Sequence, residues 1–259
     1  MVAVFNEEGN IDVSKKFATP KSYNVFIKEL LNTVRLLTPD LNFRAVCIAA
    51  PGKIDRANGI VTDFGNLAWH NVHLLSDVAP ISSNGHTKFL LENDSNLGGL
   101  SEALLIKQFN KVVYLTISTG IGDGVVVGGQ IDPALADGEA GQMVIEYDGK
   151  LQKWEDFASG RALFKKYGQK ASDITDPKIW KTYSKALATG IGEIVATLTP
   201  DVIVLGGGVG AHYEKFSRFL EQELSHYENK MVHMPPILKA RRPEEAVIYG
   251  CYDYIRQSV

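Results

Sequence analysis

Short apolar, β-branched runs alternate with segments of helical period through both halves of the chain, which predicts an α/β protein with largely parallel sheets. Two further observations give that prediction a direction. One apolar run, residues 88–92, delivers Asn93 and Asp94; a second, residues 112–118, runs into Thr119, Gly120, Ile121, Gly122, Asp123 and Gly124. Open α/β sheets bind ligands beyond the carboxyl ends of their strands, so a carboxylate and a glycine-rich turn in those places suggest a reaction centre.

In chain order, residues 1–6 are a strand, and the turn at Glu7, Glu8, Gly9 and Asn10 leads to a second strand at 11–18, making a hairpin. Residues 21–38 place Phe26, Ile27, Leu30, Leu31, Val34 and Leu37 at helical spacing and stop before Pro39. Residues 45–50 are a strand closed by Pro51 and Gly52. Residues 59–69 read as strand and loop, and 72–78 as a short helix. An apolar helical segment follows Asp94, then the strand 112–118 and a third at 125–128. An irregular segment runs to Phe157; Ser159 then caps a short helix, and 178–198 holds a long one. Residues 201–205 are a buried strand ending at Gly206, Gly207 and Gly208, followed by an amphipathic helix at 213–227. The last helix, 244–256, is apolar through Val247, Ile248, Cys251 and Ile255. A lobe boundary is expected near Asn93, with 1–93 completed by 244–259 and a second lobe at 94–243.

Composition narrows the function classes. With 259 residues, 45% of them hydrophobic and 22% charged, the chain can build two sizeable cores. A net charge of -3 gives no broad electrostatic reason to bind nucleic acid or an anionic membrane, and Lys239, Arg241 and Arg242 are too few to argue otherwise. No signal segment or apolar run of membrane-spanning length is present, so the expected compartment is the cytoplasm. Cys47 and Cys251 lie in apolar settings and read as reduced core residues.

The candidate site residues each carry two readings. Asp94 can take a proton from a substrate hydroxyl while Asn93 hydrogen-bonds its neighbours, or the pair caps the helix beginning near Ser95. The glycines of 119–124 let backbone N–H groups approach an anion, or close a tight hairpin between antiparallel strands. Gly206, Gly207 and Gly208 admit a nucleotide, or close the packing of strand on helix. Glu139 and Glu155, taken singly, read as solvated acids. No Gly-Lys-Ser/Thr follows either glycine turn, no HExxH or CxxC exists and there is no GxSxG, so a P-loop, a structural metal site and a serine hydrolase are not supported.

Together these pieces resemble the ROK family of sugar kinases and transcriptional repressors over almost the whole chain. The resemblance rests on Ala49, Ala50, Pro51, Gly52, Lys53, Ile54 and Asp55; on Gly65, Asn66, Leu67, Ala68 and Trp69; and on Glu92, Asn93, Asp94, Ser95 and Asn96 with Glu102. It continues through residues 118–124, through Asp137, Gly138, Glu139, Ala140 and Gly141, through Glu155 with Ala158, Ser159 and Gly160, and through residues 204–209. It implies a two-lobed, actin-like (ribonuclease-H-like) ATPase fold with a sugar in the cleft between lobes. It further implies transfer from ATP, with Mg2+, to a hexose in glucokinase-like fashion, and a homodimer. Asp94 would be the general base. Asn66, Asn93, Asp94, Glu139, Gln142 and Glu155 would bind the sugar. Thr119, Gly120, Gly122, Asp123 and Gly124 would meet the phosphates, and Gly206, Gly207 and Gly208 would border the adenosine.

Three departures qualify these expectations. The family's kinases open on a strand with a DxGGT phosphate loop, whereas this chain starts at what corresponds to the second strand; without that loop, positioning and charge neutralisation for phosphoryl transfer would suffer heavily. Gln142 stands where zinc-bearing members have histidine, and Lys150 to Trp154 contain no cysteine, so no zinc is expected. Asp123 replaces a small residue of the phosphate loop and would repel a triphosphate or point to solvent. The alternative is a non-catalytic sugar-binding member of the family. A repressor would need a helix-turn-helix before residues 1–18.

Overall fold

The computed structural model describes residues 1–40, 42–65, 67–82 and 85–259, and the chain folds as two units, 1–97 with 247–259, and 98–246. In the first unit, β1 (Val2–Phe5) and β2 (Ile11–Lys15) form an antiparallel hairpin. The helix α1 (Tyr23–Leu37) lays its apolar residues on the unit's core. Next come β3 (Ala45–Ala50) and a three-stranded antiparallel sheet of β4 (Lys53–Asp55), β5 (Ile60–Asp63) and β6 (His70–Val72). The short helix α2 (Leu74–Val78) leads to β7 (Lys88–Asn93), which pairs in parallel with β3. Val34, Val61, Phe64, Trp69, Val78 and Leu91 form the core between these elements. Each such side chain, once fully buried, adds about 1.5–3 kcal/mol.

The helix α3 (Asp94–Leu105) carries the chain into the second unit. Its sheet runs β10-β9-β8-β13-β14, from β8 (Lys111–Ile117), β9 (Ile121–Val127), β10 (Gln130–Ile131), β13 (Val202–Gly206) and β14 (Ile237–Lys239). Between β10 and β13 lie the hairpin β11 (Val144–Tyr147) and β12 (Lys150–Lys153), then α4 (Trp154–Ala158), α5 (Gly160–Tyr167) and α6 (Pro177–Leu198). The short α7 (Gly207–Gly210) and α8 (Ser217–Leu224) follow β13. Trp154, Trp180, Leu187, Ile191, Ile203 and Phe216 dominate this second core. The last helix, α9 (Ala246–Ser258), returns to the first unit, where Gly250 lies against the Leu97 carbonyl with no room for a side chain.

The structure corrects the sequence expectations at several points. The sheets are mixed: β13 is parallel to both β8 and β14, but β8 and β9 are antiparallel, because three residues can close a hairpin and cannot make a parallel crossover. The strand expected at 125–128 therefore starts at Ile121. The segment expected to be irregular holds the β11–β12 hairpin, whose Asp148 and Gly149 adopt φ of 52 and 74 degrees, as a type I′ turn requires. The helix expected at 213–227 shrinks to α8, preceded by a 3-10 turn at Tyr213–Lys215. Cys47 and Cys251 are free and meet thiol to thiol in the first unit; that hydrogen bond and burial push the Cys47 thiol well above its ordinary pKa.

Candidate functional site

In each unit two parallel strands end together, β3 with β7 and β8 with β13, and the candidate residues follow those ends. In the first unit β3 and β7 finish with Ala50 opposite Asn93, and α3 begins at Asp94. Asn93 Oδ1 accepts the Ser95 N–H at 2.8 Å, so the capping reading of this side chain holds. Its Nδ2 donates to the Gly52 carbonyl at 3.1 Å and fixes the turn after β3, where Gly52 has φ of +82 degrees and no space for a side chain beside the Asp63 carbonyl. Asp94 is half-buried in the first turn of α3. Loss of solvent raises its carboxyl above the ordinary range, and the N–H groups of Ser95 and Asp94 itself offset only part of this.

Glu92, 2% exposed, underlies that corner. Its carboxylate takes a bidentate pair from Arg56, Nε to Oε2 at 2.7 Å and Nη2 to Oε1 at 2.6 Å. Oε1 also accepts the Asn93 N–H at 2.6 Å and Asn96 Nδ2 at 2.9 Å. A lone acid inside an apolar strand calls for a partner, a signal legible in sequence, but only the fold shows that the partner is Arg56. Asn66, expected at the sugar, lies outside the described residues.

In the second unit β8 and β13 end together with Thr116 opposite Gly206. The turn after β8 is Ser118, Thr119 and Gly120, closed by Ser118 N–H on the Gly120 carbonyl at 2.9 Å, with Ser118 and Thr119 exposed. Gly207, φ +75 degrees, starts α7 so close to β8 that a side chain would meet the Ile117 backbone at 2.6 Å, while the space at Gly208 is open. Gly160, at the start of α5, donates its N–H to the Ser118 carbonyl at 2.7 Å. Three glycine-bearing chain ends thus converge where two parallel strands stop. Gly122 and Gly124 do not belong to that turn: they lie within β9, opposite Thr116 and Tyr114.

Glu155 stands beside the turn on α4, whose preceding residue, Trp154, is fully buried and donates Nε1–H to the Ala186 carbonyl at 3.1 Å. Glu155 Oε1 accepts Gln142 Nε2 at 2.9 Å and lies 4.0 Å from Arg161, and a side chain at 120 would meet Oε2 at 2.5 Å. Gln142 ends the 3-10 turn Ala140–Gln142, which Glu139 precedes. Asp123 is half-buried on β9, and its Oδ1 accepts the Ala140 N–H at 2.7 Å. Burial raises its carboxyl above the ordinary range, and the Ala140 N–H opposes the rise. The structure therefore gathers Thr119, Gly120, Gln142, Glu155 and the 206–208 turn within one unit, and ties the residue after Glu139 to β9.

Among the described residues no group of three or more His, Cys, Asp or Glu side chains is placed to hold a metal ion, and no helix is long and apolar enough to cross a membrane. Lys239 pairs with Glu214 at 2.8 Å, and the N–H groups of Arg241 and Arg242 bind the buried Glu102 at 2.8 and 2.7 Å.

The sequence model of the ROK family matches residues 1–258. The glucokinase of Thermotoga maritima is 26% identical over an alignment spanning 100% of this chain and 94% of its own length. The N-acetyl-D-glucosamine kinase of Histophilus somni is 26% identical, over 96% and 93%. In three dimensions the chain is similar to a ROK family glucokinase from Streptomyces griseus, solved with glucose and AMPPNP, at a TM-score of 0.81 and 20% identity, over 98% of this chain and 95% of that one.

Proposed function

The chain belongs to the ROK family, and from that premise we propose that it phosphorylates a hexose hydroxyl with ATP, as a glucokinase-like enzyme. The observation that carries the reading is the pair of parallel-strand ends: β3 and β7 deliver Asn93 and Asp94, and β8 and β13 deliver the two glycine turns. Asp94 is the base that takes the proton of the attacking hydroxyl, and its raised pKa makes it a stronger base than a solvated aspartate. Asn93 keeps one amide hydrogen and one oxygen lone pair beyond its cap and turn bonds, enough to orient a neighbouring hydroxyl. Glu139, Gln142 and Glu155 take further sugar hydroxyls as hydrogen-bond partners.

The Thr119 and Gly120 amides of the turn after β8 and the start of α7 offer N–H groups to the phosphates, and the open face at Gly208 borders the adenosine. Magnesium fits this reading as a companion of the nucleotide, since it is commonly held by substrate phosphates with one or two carboxylates. It supplies neutralising charge to the triphosphate.

The test is hexose-dependent ADP release with glucose, mannose, fructose and N-acetylglucosamine. Release with at least one sugar, lost in Asp94→Asn while that sugar still binds, supports the reading. Sugar binding with no release from the unaltered protein would replace it with the non-catalytic sugar-binding alternative.

A further inference from the structure

Asp123 touches the segment that bears Glu139 and Gln142. Its register on β9 sets it opposite Leu115, two residues beyond Ile121 and on the same face of the strand. Both residues touch the segment 138–141. Asp123 Oδ1 accepts the Ala140 N–H at 2.7 Å, and a side chain on Gly138 would reach Oδ2 at 3.3 Å. The Ile121 carbonyl lies so near Gly141 that no side chain would fit there. Glu139 and Gln142 flank these two contact points. Gln142 then reaches Glu155, and Glu155 lies against Gly120, so the contacts run from β9 through the segment and back to the hairpin turn beside β9.

The chemistry of Asp123 agrees with an acceptor's role. Among the described residues no basic side chain contributes to its pKa; solvent loss and N–H groups do. A half-buried carboxylate is held at a free-energy cost, and its oxygen is directed at the Ala140 amide.

We propose that Asp123 is a positioning residue for hexose recognition, holding the 138–142 segment so that Glu139 and Gln142 stand at the sugar beside Glu155. This rests on the kinase reading above and assigns Asp123 to the sugar side of the reaction. The bond needs an acceptor, and the side chain's negative charge is incidental to it.

Asparagine retains an acceptor oxygen and loses the charge, so it separates the two roles. In Asp123→Ala the hexose KM rises about tenfold or more, as expected when substrate-holding groups shift by a fraction of an ångström, while the KM for ATP stays within about twofold. Asp123→Asn returns the hexose KM most of the way. Amide exchange of the peptide covering Ala140 speeds up in the Ala variant and stays near the original rate in the Asn variant. If Asp123→Ala does not fold, Asp123→Ser replaces it, its hydroxyl being too short to reach the Ala140 amide. An unchanged hexose KM in the truncated variant, a change confined to ATP or magnesium dependence, or an Asn variant as impaired as the Ala variant overturns the proposal. An unaltered protein that binds none of the four sugars overturns the kinase reading itself, and is seen before any variant is made.

Discussion

Asp94 opens α3 and is the base in the proposed reaction, and one substitution separates these two roles. Asparagine keeps the size and an acceptor oxygen in the first turn of α3, where Asn93 supplies the cap, but it cannot take a proton from a hydroxyl. In Asp94→Asn we expect kcat to fall by about 10²–10⁴, the usual worth of a positioned base, with hexose affinity within a fewfold of the original by calorimetry. Retention of kcat would remove Asp94 from the base's role. Glu155 makes a complementary test. Its carboxylate accepts from Gln142 and stands beside Gly120. Glu155→Gln should weaken hexose binding by roughly tenfold to a hundredfold, the equivalent of one charge-assisted hydrogen bond, and a normal KM would return it to a solvated acid. Asp94 and Glu155 were named from sequence because their motifs gave them chemistry. The bond from the Ala140 N–H to Asp123 follows from a strand that begins at Ile121 instead of residue 125. No pattern local to residues 119–124 encodes that pairing.

At the scale of elements, the strand-to-helix corner at Glu92, Asn93 and Asp94 depends on Arg56. Removing Arg56 leaves the buried Glu92 with only the Asn93 and Asn96 donors among the described residues, so Arg56→Ala should destabilise the protein by about 1–3 kcal/mol, and replacing both members with apolar residues should recover much of the loss. Urea unfolding of Arg56→Ala, Glu92→Leu and the double variant Arg56→Met with Glu92→Leu measures this. A single-variant cost near zero would mean that water reaches Glu92 freely. The elements legible in sequence were those with long periodic signals: α1 and α6 appear nearly as expected, and Ser159 caps α5 through its bond from the Ala162 N–H at 3.2 Å. Short elements are legible only through a single local signal. Asp148 and Gly149, between Val144–Tyr147 and Lys150–Lys153, are the residue pair a two-residue hairpin favours. Strands β4 and β6, three residues each, offer too few positions for an alternation to be recognised.

At the scale of the whole molecule, the site should reduce stability at neutral pH. Asp94 and Asp123 both have carboxyls raised by loss of solvent. A carboxyl whose folded pKa exceeds its unfolded value binds more protons in the folded state between the two, so stability falls as pH rises through that window and the loss is complete above the raised pKa. Asp55, held low by hydrogen bonds from Asn58, and Glu214, held low by Lys239, act in the opposite sense: they add stability above the ordinary carboxylate range that is lost as pH falls. The total pH dependence therefore mixes signs, but the difference between Asp94→Asn and the unaltered protein isolates one group. The amide that Asp94→Asn introduces carries no charge to desolvate, so the variant should melt at a higher temperature at about pH 7 to 8. The gap should narrow as pH is lowered through the raised pKa, where the aspartate becomes protonated and neutral like the amide. Thermal melts of both proteins across that range decide it. A gap that persists unchanged into acid would assign the stability difference to packing, and would remove the desolvation on which the proposed base role of Asp94 draws.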